Sequence, residues 1–412
     1  MMWSTAWCCR RIVRGIFLLL TSGSALALEA EFKTTRGDFI VDLHPDKTPL
    51  AVTHFVDLAE GRRTWVDPLT GSVRIGGFYN GKGIHRVVST SSERFFETGA
   101  FATGGTDPGY GYPDEFHPDA SHQPYVMAMA NDGPNTNGTG IQITGSLAMP
   151  HRNGRHTVLG RVREGQGRSV VDAILAAGAN ASVIREVIIR GREPWKETLE
   201  AGAQKLPTVS GVKGSLHVTP GVASELLFSQ RPNSVLTAHA SVDLSQWAPH
   251  YRRFCDSSVS LPVPLPILDD ASLASRFYHL AVIDYPTTPS SPGFSSLIGR
   301  RVVIEGENIA TIVYVFDQTG KSGKYENLLS ADGPPFFSGT FSLDEGFPVK
   351  ITPCSLQFLV NTPGFGGSPR QLVKLGWDTG TISSASGRHE TQVLNQSMEV
   401  IFIDRGYAGS TR

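Results

Sequence analysis

Cysteine, net charge and long apolar runs are what this chain of 412 residues has least of. Two of its four cysteines, Cys8 and Cys9, stand at the very start, leaving Cys255 and Cys354 in the body of the chain. That count excludes a small disulfide-stapled scaffold, and the remaining pair allows either one bridge or two separate buried thiols. A bridge would close a loop of about 100 residues, worth on the order of 4–5 kcal/mol in the chain-entropy model. Lys plus Arg number 37 against 38 Asp plus Glu, so no global field recruits nucleic acid, an anionic membrane or an acidic substrate, and any binding is local. The apolar run near the N-terminus, residues 15–20, is too short to favour a stable membrane-spanning helix. Motifs with metal, nucleotide or nucleophile chemistry are missing too. Thr319-Gly320-Lys321-Ser322 has Val315 where a phosphate-binding loop needs glycine, so it reads as a hairpin turn. His85, His117, His122, His151 and His156 lack zinc-site spacing and read as surface and groove histidines, and no GxSxG is present. No cofactor and no metal are expected.

What the chain does have is glycine (44) and proline (26), with little helical periodicity after residue 200, which together predict a mainly β protein rich in turns. Arg10, Arg11 and Arg14, then the apolar run, then Ala25-Leu26-Ala27 form the succession of a secretory signal, so residues 1–27 are expected to direct export to a periplasmic, cell-surface or secreted location. A first domain is expected over residues 30–200. Strands flank Thr35-Arg36-Gly37, and a helix is predicted from Thr48, a candidate cap, through Pro49 to Gly61, with Val52, Phe55, Val56 and Ala59 on one face. A second helix is predicted over 169–177. Residues 190–214 read as a linker, 215–286 as a small β module, 286–292 as a stiff polar spacer and 297–405 as a C-terminal β domain. Trp247, Phe277, Tyr278 and Trp377 read as core aromatics of those modules.

Within the first domain, ordered blocks accumulate: Phe78-Tyr79-Asn80-Gly81, His85-Arg86-Val87, Pro108-Gly109-Tyr110 and Asp114-Glu115-Phe116. They are followed by the run from Met129-Ala130-Asn131-Asp132 through Gly133-Pro134-Asn135-Thr136-Asn137-Gly138, and by Gly154-Arg155-His156-Thr157-Val158-Leu159-Gly160-Arg161-Val162. The series resembles the cyclophilin-type peptidyl-prolyl cis-trans isomerases over residues 30–200; the segments beyond gain nothing from it. The resemblance implies an eight-stranded antiparallel barrel capped by two helices, with a groove for proline-containing polypeptides, followed here by one or two all-β domains.

By the same resemblance Arg86 is the catalytic residue, and Phe95, Phe96, Thr98, Ala130, Asn131, Asp132, Gln142, Arg152 and His156 are the substrate-binding positions. Several depart from the family pattern. Thr98 and Gly140 stand where the family has glutamines, Asp132 replaces a small residue, Gln142 replaces the phenylalanine that floors the proline pocket, and Arg152 replaces an apolar leucine. Apolar burial of a proline-sized group contributes roughly 1.5–3 kcal/mol, part of which a polar floor forfeits. Two functions follow as expectations: an isomerase assisting the folding of exported proteins, or a catalytically weak or inactive proline-peptide binding or scaffold protein using the same groove.

Overall fold

A computed structural model describes residues 27–212 and, beyond them, 215–217, 225–229, 232–255, 262–266, 277–286, 297–307, 311–328, 335–344, 350–352, 354–362, 370–380, 384–394, 397 and 400–411. The signal segment predicted at 1–27 lies, but for its last residue, outside the described residues, as does the spacer at 286–292 but for its first residue.

Strands β1 (Glu29–Thr34) and β2 (Gly37–Leu43) form a tight hairpin, with Gly37 at φ +119°, a backbone region that side chains rarely tolerate. Alternation turns Ala30, Phe32, Phe39 and Val41 to one side, where the rings of Phe32 and Phe39 stack 4.8 Å apart. Helix α1 (Pro49–Ala59) fills the open mouth of the sheet, and Gly61 ends it at φ +69°. Thr48 does not cap it. Its hydroxyl donates to the Val158 carbonyl, and the carboxylate of Glu115, distant in sequence, accepts from the Ala51 N–H instead. A two-stranded ribbon follows, β3 (Trp65–Val66) with β4 (Val73–Arg74).

The remaining strands are β5 (Arg86–Ser89), β6 (Arg94–Thr98), β7 (Val126–Met129), β8 (Ile141–Thr144), β9 (Val158–Val162) and, after helix α2 (Gln166–Ala177), β10 (Ile184–Arg190). All eight main strands pair antiparallel in the order β10-β1-β2-β9-β7-β8-β6-β5. The two edges meet where Gly83 bridges Val183, with the Ile84 N–H on the Ser182 carbonyl, which completes the curl expected from the resemblance. Its interior is packed by Phe55, Phe96, Met127, Met129, Ile141 and Ile143.

Residues 190–214 are not an open linker. They hold helix α3 (Lys196–Gln204), which packs on α1, and β11 (Thr208–Gly211). Leu199 is α3's single buried large side chain, too little for a visible period, and Gly202 lets Thr53 of α1 approach. β11 joins the strands Ser234–Ser241, Ala248–Cys255 and Phe277–Asp284 in a four-stranded sheet, from which Val235, Ile283 and Tyr285 enter the first domain's core. The middle module therefore shares a core with the first domain.

The C-terminal domain is a closed barrel of eight antiparallel strands: Arg301–Gly306, Thr311–Phe316, Ser322–Leu328, Pro335–Leu343, Ser355–Asn361, Arg370–Gly380, Ser384–Leu394 and Val400–Thr411. Each pairs with the next and the last returns to the first, leaving no open edge. Tyr314, Phe358, Val373, Leu375 and Trp377 fill it. Thr319-Gly320 is the hairpin turn read from the sequence, with Gly320 at φ +66°.

The barrel docks on the loop that carries the Asn131–Gly138 block. Trp377 accepts from the Asn135 amide (3.0 Å), and Gly376 lies so close to Pro134 that a Cβ there would come within 2.5 Å of it. Cys354 is buried in this contact as a free thiol, near the Asn135 carbonyl, and burial pushes its pKa up to about 12. It is not half of a bridge, which corrects that alternative for the Cys255–Cys354 pair; the Cys255 side chain lies outside the described residues.

Candidate functional site

The site is built on the hairpin of β5 and β6. In its register Arg86 faces Glu97, Val87 faces Phe96 and Val88 faces Phe95. Opposed residues share a face and successive ones alternate, so Arg86, Phe95 and Glu97 lie on the outer face while Val87, Phe96 and Thr98 turn into the barrel. β8 extends the same outer face, placing Gln142 opposite Glu97 and Thr144 opposite Phe95. The sequence-predicted positions therefore separate. Arg86, Phe95, Gln142, Arg152 and His156 come together, whereas Phe96 joins the barrel core and the Thr98 hydroxyl donates inward to the Gly83 carbonyl. Residues 90–93 form the hairpin turn, closed by the Thr90 hydroxyl accepting from the N–H groups of Ser92 and Glu93.

Arg86 keeps a half-exposed side chain, 53% accessible, and one arm of its guanidinium donates to Glu97 at 2.9 Å. Glu97 is mostly buried and also faces His85 at 3.9 Å. A guanidinium has five N–H donors in a fixed plane, so holding one on Glu97 fixes the orientation of the others.

At the other end of the groove, Phe95 is buried beneath the guanidinium of Arg152, 4.3 Å from the ring centre, with Arg86 at 5.3 Å. Arg152 is held tightly. Its Nε and Nη2 donate to Glu93 at 3.0 and 2.7 Å, and its Nη1 donates to Gln142 Oε1 at 3.0 Å and to His156 Nε2 at 3.3 Å. Burial opposes ionisation of Glu93, but hydrogen bonds from His151 and Arg152 hold its pKa below the usual carboxylate value. His156 is the reverse: burial, then the Arg152 charge, push its pKa down to about 3, so the imidazole is neutral and accepts. Because arginine only donates, Gln142 must present its oxygen to Arg152, and its buried Nε2 is then left without a partner among the described residues.

The rim is formed by Ala130, Asn131 and Asp132. Ala130 N–H donates to the Gly140 carbonyl, while the Asn131 side chain braces Asp114, Asn137 and the Arg155 carbonyl. The Asn131 backbone N–H and C=O take no partner among the described residues and remain available to an extended chain. Asp132 belongs to the barrel contact: its carboxylate pairs with Lys374 at 2.5 Å and its carbonyl accepts from Gln357 at 3.2 Å. Below it Asp114, with no exposed side-chain surface, accepts from Arg388, Asn131, Asn137 and the Asn135 N–H. Burial pushes the pKa of Asp114 up, against the pull of Arg388 and those donors.

Glu93, Glu97, Lys374 and Arg388 were not identified from the sequence. Only Glu97 carried a local signal there, its i, i+2 relation to Phe95 on one strand. Among the described residues no group of His, Cys, Asp and Glu is arranged to hold a metal ion, and no helix is long and apolar enough to cross a membrane.

The site is thus a curled antiparallel sheet with an arginine over an outer groove and the rim of Ala130, Asn131 and Asp132 beside it. The model of the family "Cyclophilin type peptidyl-prolyl cis-trans isomerase/CLD" matches residues 29–192. Peptidyl-prolyl cis-trans isomerase B of Streptomyces anulatus is 44% identical over 154 residues, 37% of this chain and 86% of the relative. Peptidyl-prolyl cis-trans isomerase A of Mycobacterium tuberculosis is 37% identical over 158 residues, 38% of this chain and 84% of the relative. A solved cyclophilin-type isomerase of Cryptosporidium parvum aligns with 40% of this chain and 98% of its own, at 19% identity and a TM-score of 0.33. The chain belongs to the cyclophilin-type peptidyl-prolyl cis-trans isomerase family, and its family domain ends where α3 and the two further β assemblies begin.

Proposed function

We propose that the protein is a peptidyl-prolyl cis-trans isomerase that acts on proline-containing segments of exported proteins and assists their folding. The observation that carries the reading is the Arg86–Glu97 pair at the hairpin end of the groove. An X-Pro amide resists rotation by about 18–20 kcal/mol because the nitrogen shares its lone pair with the carbonyl. Once the amide twists, that lone pair becomes an acceptor, and a donor already in place favours the twisted form over either planar isomer. Arg86 is suited to this. A guanidinium is a permanent cation with donors in one plane, Glu97 fixes that plane, and the half-exposed face leaves N–H groups for a substrate. The export assignment rests on the basic, apolar and small-residue succession of residues 10–27.

A second reading, a proline-peptide binding or scaffold protein without efficient catalysis, is favoured by one observation. Arg152 lies over Phe95, where an apolar pocket would receive the proline ring. The two readings separate in a prolyl isomerisation assay on a short X-Pro peptide. Catalysis predicts acceleration by the full chain that disappears in Arg86→Ala; no acceleration by the folded wild type selects the binding reading.

A further inference from the structure

The groove has a second wall, and it comes from the C-terminal barrel. A cavity of about 820 Å³ lies between Arg86, Arg152 and Arg155 of the first domain and Arg388, Glu390 and Arg405 of the barrel. That volume is within the roughly 300–1,000 Å³ range of ligand sites. A smaller cavity of about 360 Å³ shares Arg86, Glu97, Asn131 and Asp132 with it. An extended segment laid over Arg86 therefore continues into a cleft with protein on both sides.

The cations of this cleft are unequally satisfied. Arg86 has Glu97, Arg152 has Glu93, Lys374 has Asp132 and Glu390, Arg388 has Asp114, and Arg405 has Glu390. Arg155 is different. It is half-buried, and no carboxylate lies within ion-pair distance of its guanidinium among the described residues, Glu307 and Glu390 acting on it only from further away. Burial and the neighbouring charges of Arg405 and Arg152 push its pKa down. A guanidinium withdrawn from water beside like charges is unfavourable until an anion reaches it. Because the cleft is continuous with the groove over Arg86, an anion carried by the same polypeptide as the proline meets this requirement.

We propose that the cleft selects client segments with an acidic side chain flanking the proline, Arg155 receiving the carboxylate with Arg405 beside it, so that the barrel's role is to confer specificity on the isomerase. The inference rests on the proline-groove reading above and adds the class of substrate.

The test uses the full chain and fluorescently labelled X-Pro peptides flanked by Glu, Gln or Lys, with binding followed by anisotropy. The Glu-flanked peptide is expected to bind about tenfold more tightly than the Gln-flanked one, and the difference to shrink with added salt. Arg155→Gln is expected to abolish the preference, and Arg155→Glu to transfer it to the Lys-flanked peptide. Equal affinity of the wild type for the Glu and Gln peptides, or a preference that survives Arg155→Gln, overturns the proposal. Failure of the underlying reading looks different: none of the peptides binds. Acidic preference in binding without any acceleration of isomerisation supports the cleft and removes only the catalysis.

Discussion

The two ends of the groove differ in how far they depart from the family pattern. At the hairpin end Arg86 occupies the position that the resemblance assigns to the catalytic arginine, and its partner Glu97 lies across one rung of the β5–β6 ladder. At the pocket end, where the resemblance implies an apolar floor, stand Gln142 and Arg152, and Arg152 bonds to Gln142, to His156, which fits the family pattern, and to Glu93. Taken one at a time, each replacement is a loss of apolar contact. Taken together they form a linked set in which Glu93 neutralises Arg152 and both Gln142 Oε1 and the neutral His156 accept from it, while Gln142 Nε2 and His156 Nδ1 keep no partner among the described residues. Asp132 follows the same logic, since it stands where a small residue is usual and Lys374 of the barrel pairs with it. A buried polar group left without its partner costs about 1–3 kcal/mol, so such sets are expected to change together rather than singly.

The sharpest way to separate the two ends is Arg86→Ala. It is expected to lower kcat/KM for prolyl isomerisation by about 10²-fold, the loss typical of a transition-state donor, without a matching loss of stability. The comparison extends to the barrel through Arg388→Ala, which strands the buried Asp114 carboxylate. Denaturant unfolding is expected to show a loss of about 3 kcal/mol, largely relieved when Asp114→Asn is added. A loss confined to a few tenths would mean that the barrel is not held through this pair.

His156 gives the pocket end a pH signature. Its folded pKa of about 3 lies below the ordinary 6.5, so between those values the unfolded chain binds the proton and the folded one does not. Its contribution to stability is complete above pH 6.5 and is lost progressively as pH falls toward 3. The raised carboxyls Asp57, Asp114 and Glu115 titrate in the opposite sense, so the diagnostic is the difference between wild type and His156→Asn, whose stability is expected to fall less steeply over that window. The smallest effect concerns Cys354. Being a free thiol, it predicts that a reductant leaves the melting temperature unchanged, whereas a bridge to Cys255 would make it fall.

Much of the first domain was legible because its signals are local. The glycine at 37 with alternating apolar residues gave the first hairpin, and the succession Thr48-Pro49 to Gly61 gave α1. What escaped depended on contacts distant in sequence. Glu115 replaces Thr48 as the partner of the helix start from 64 residues away, and α3 has one large buried side chain and so no period to detect. The groove divides in the same way. Its members could be aligned as a row, but whether a residue points out or in is set by strand parity: Phe95 and Glu97 face the groove while Phe96 and Thr98 do not. Lys374 and Arg388 lie more than two hundred residues from Asp132 and Asp114, the first-domain carboxylates they meet, and no local pattern announces them.

The central claim is that the pocket's polar replacements act as a unit, and a double-mutant cycle on isomerisation tests it most directly. Gln142→Phe alone is expected to lower kcat/KM by leaving an Arg152 donor without its acceptor, and Arg152→Leu alone to lower it by leaving the buried Gln142 amide without its partner, Glu93 keeping His151. The pair together is expected to match or exceed the wild type, a coupling of about 1–3 kcal/mol. Additive losses, or a gain from Gln142→Phe by itself, would contradict the claim and return the pocket to a set of independent defects.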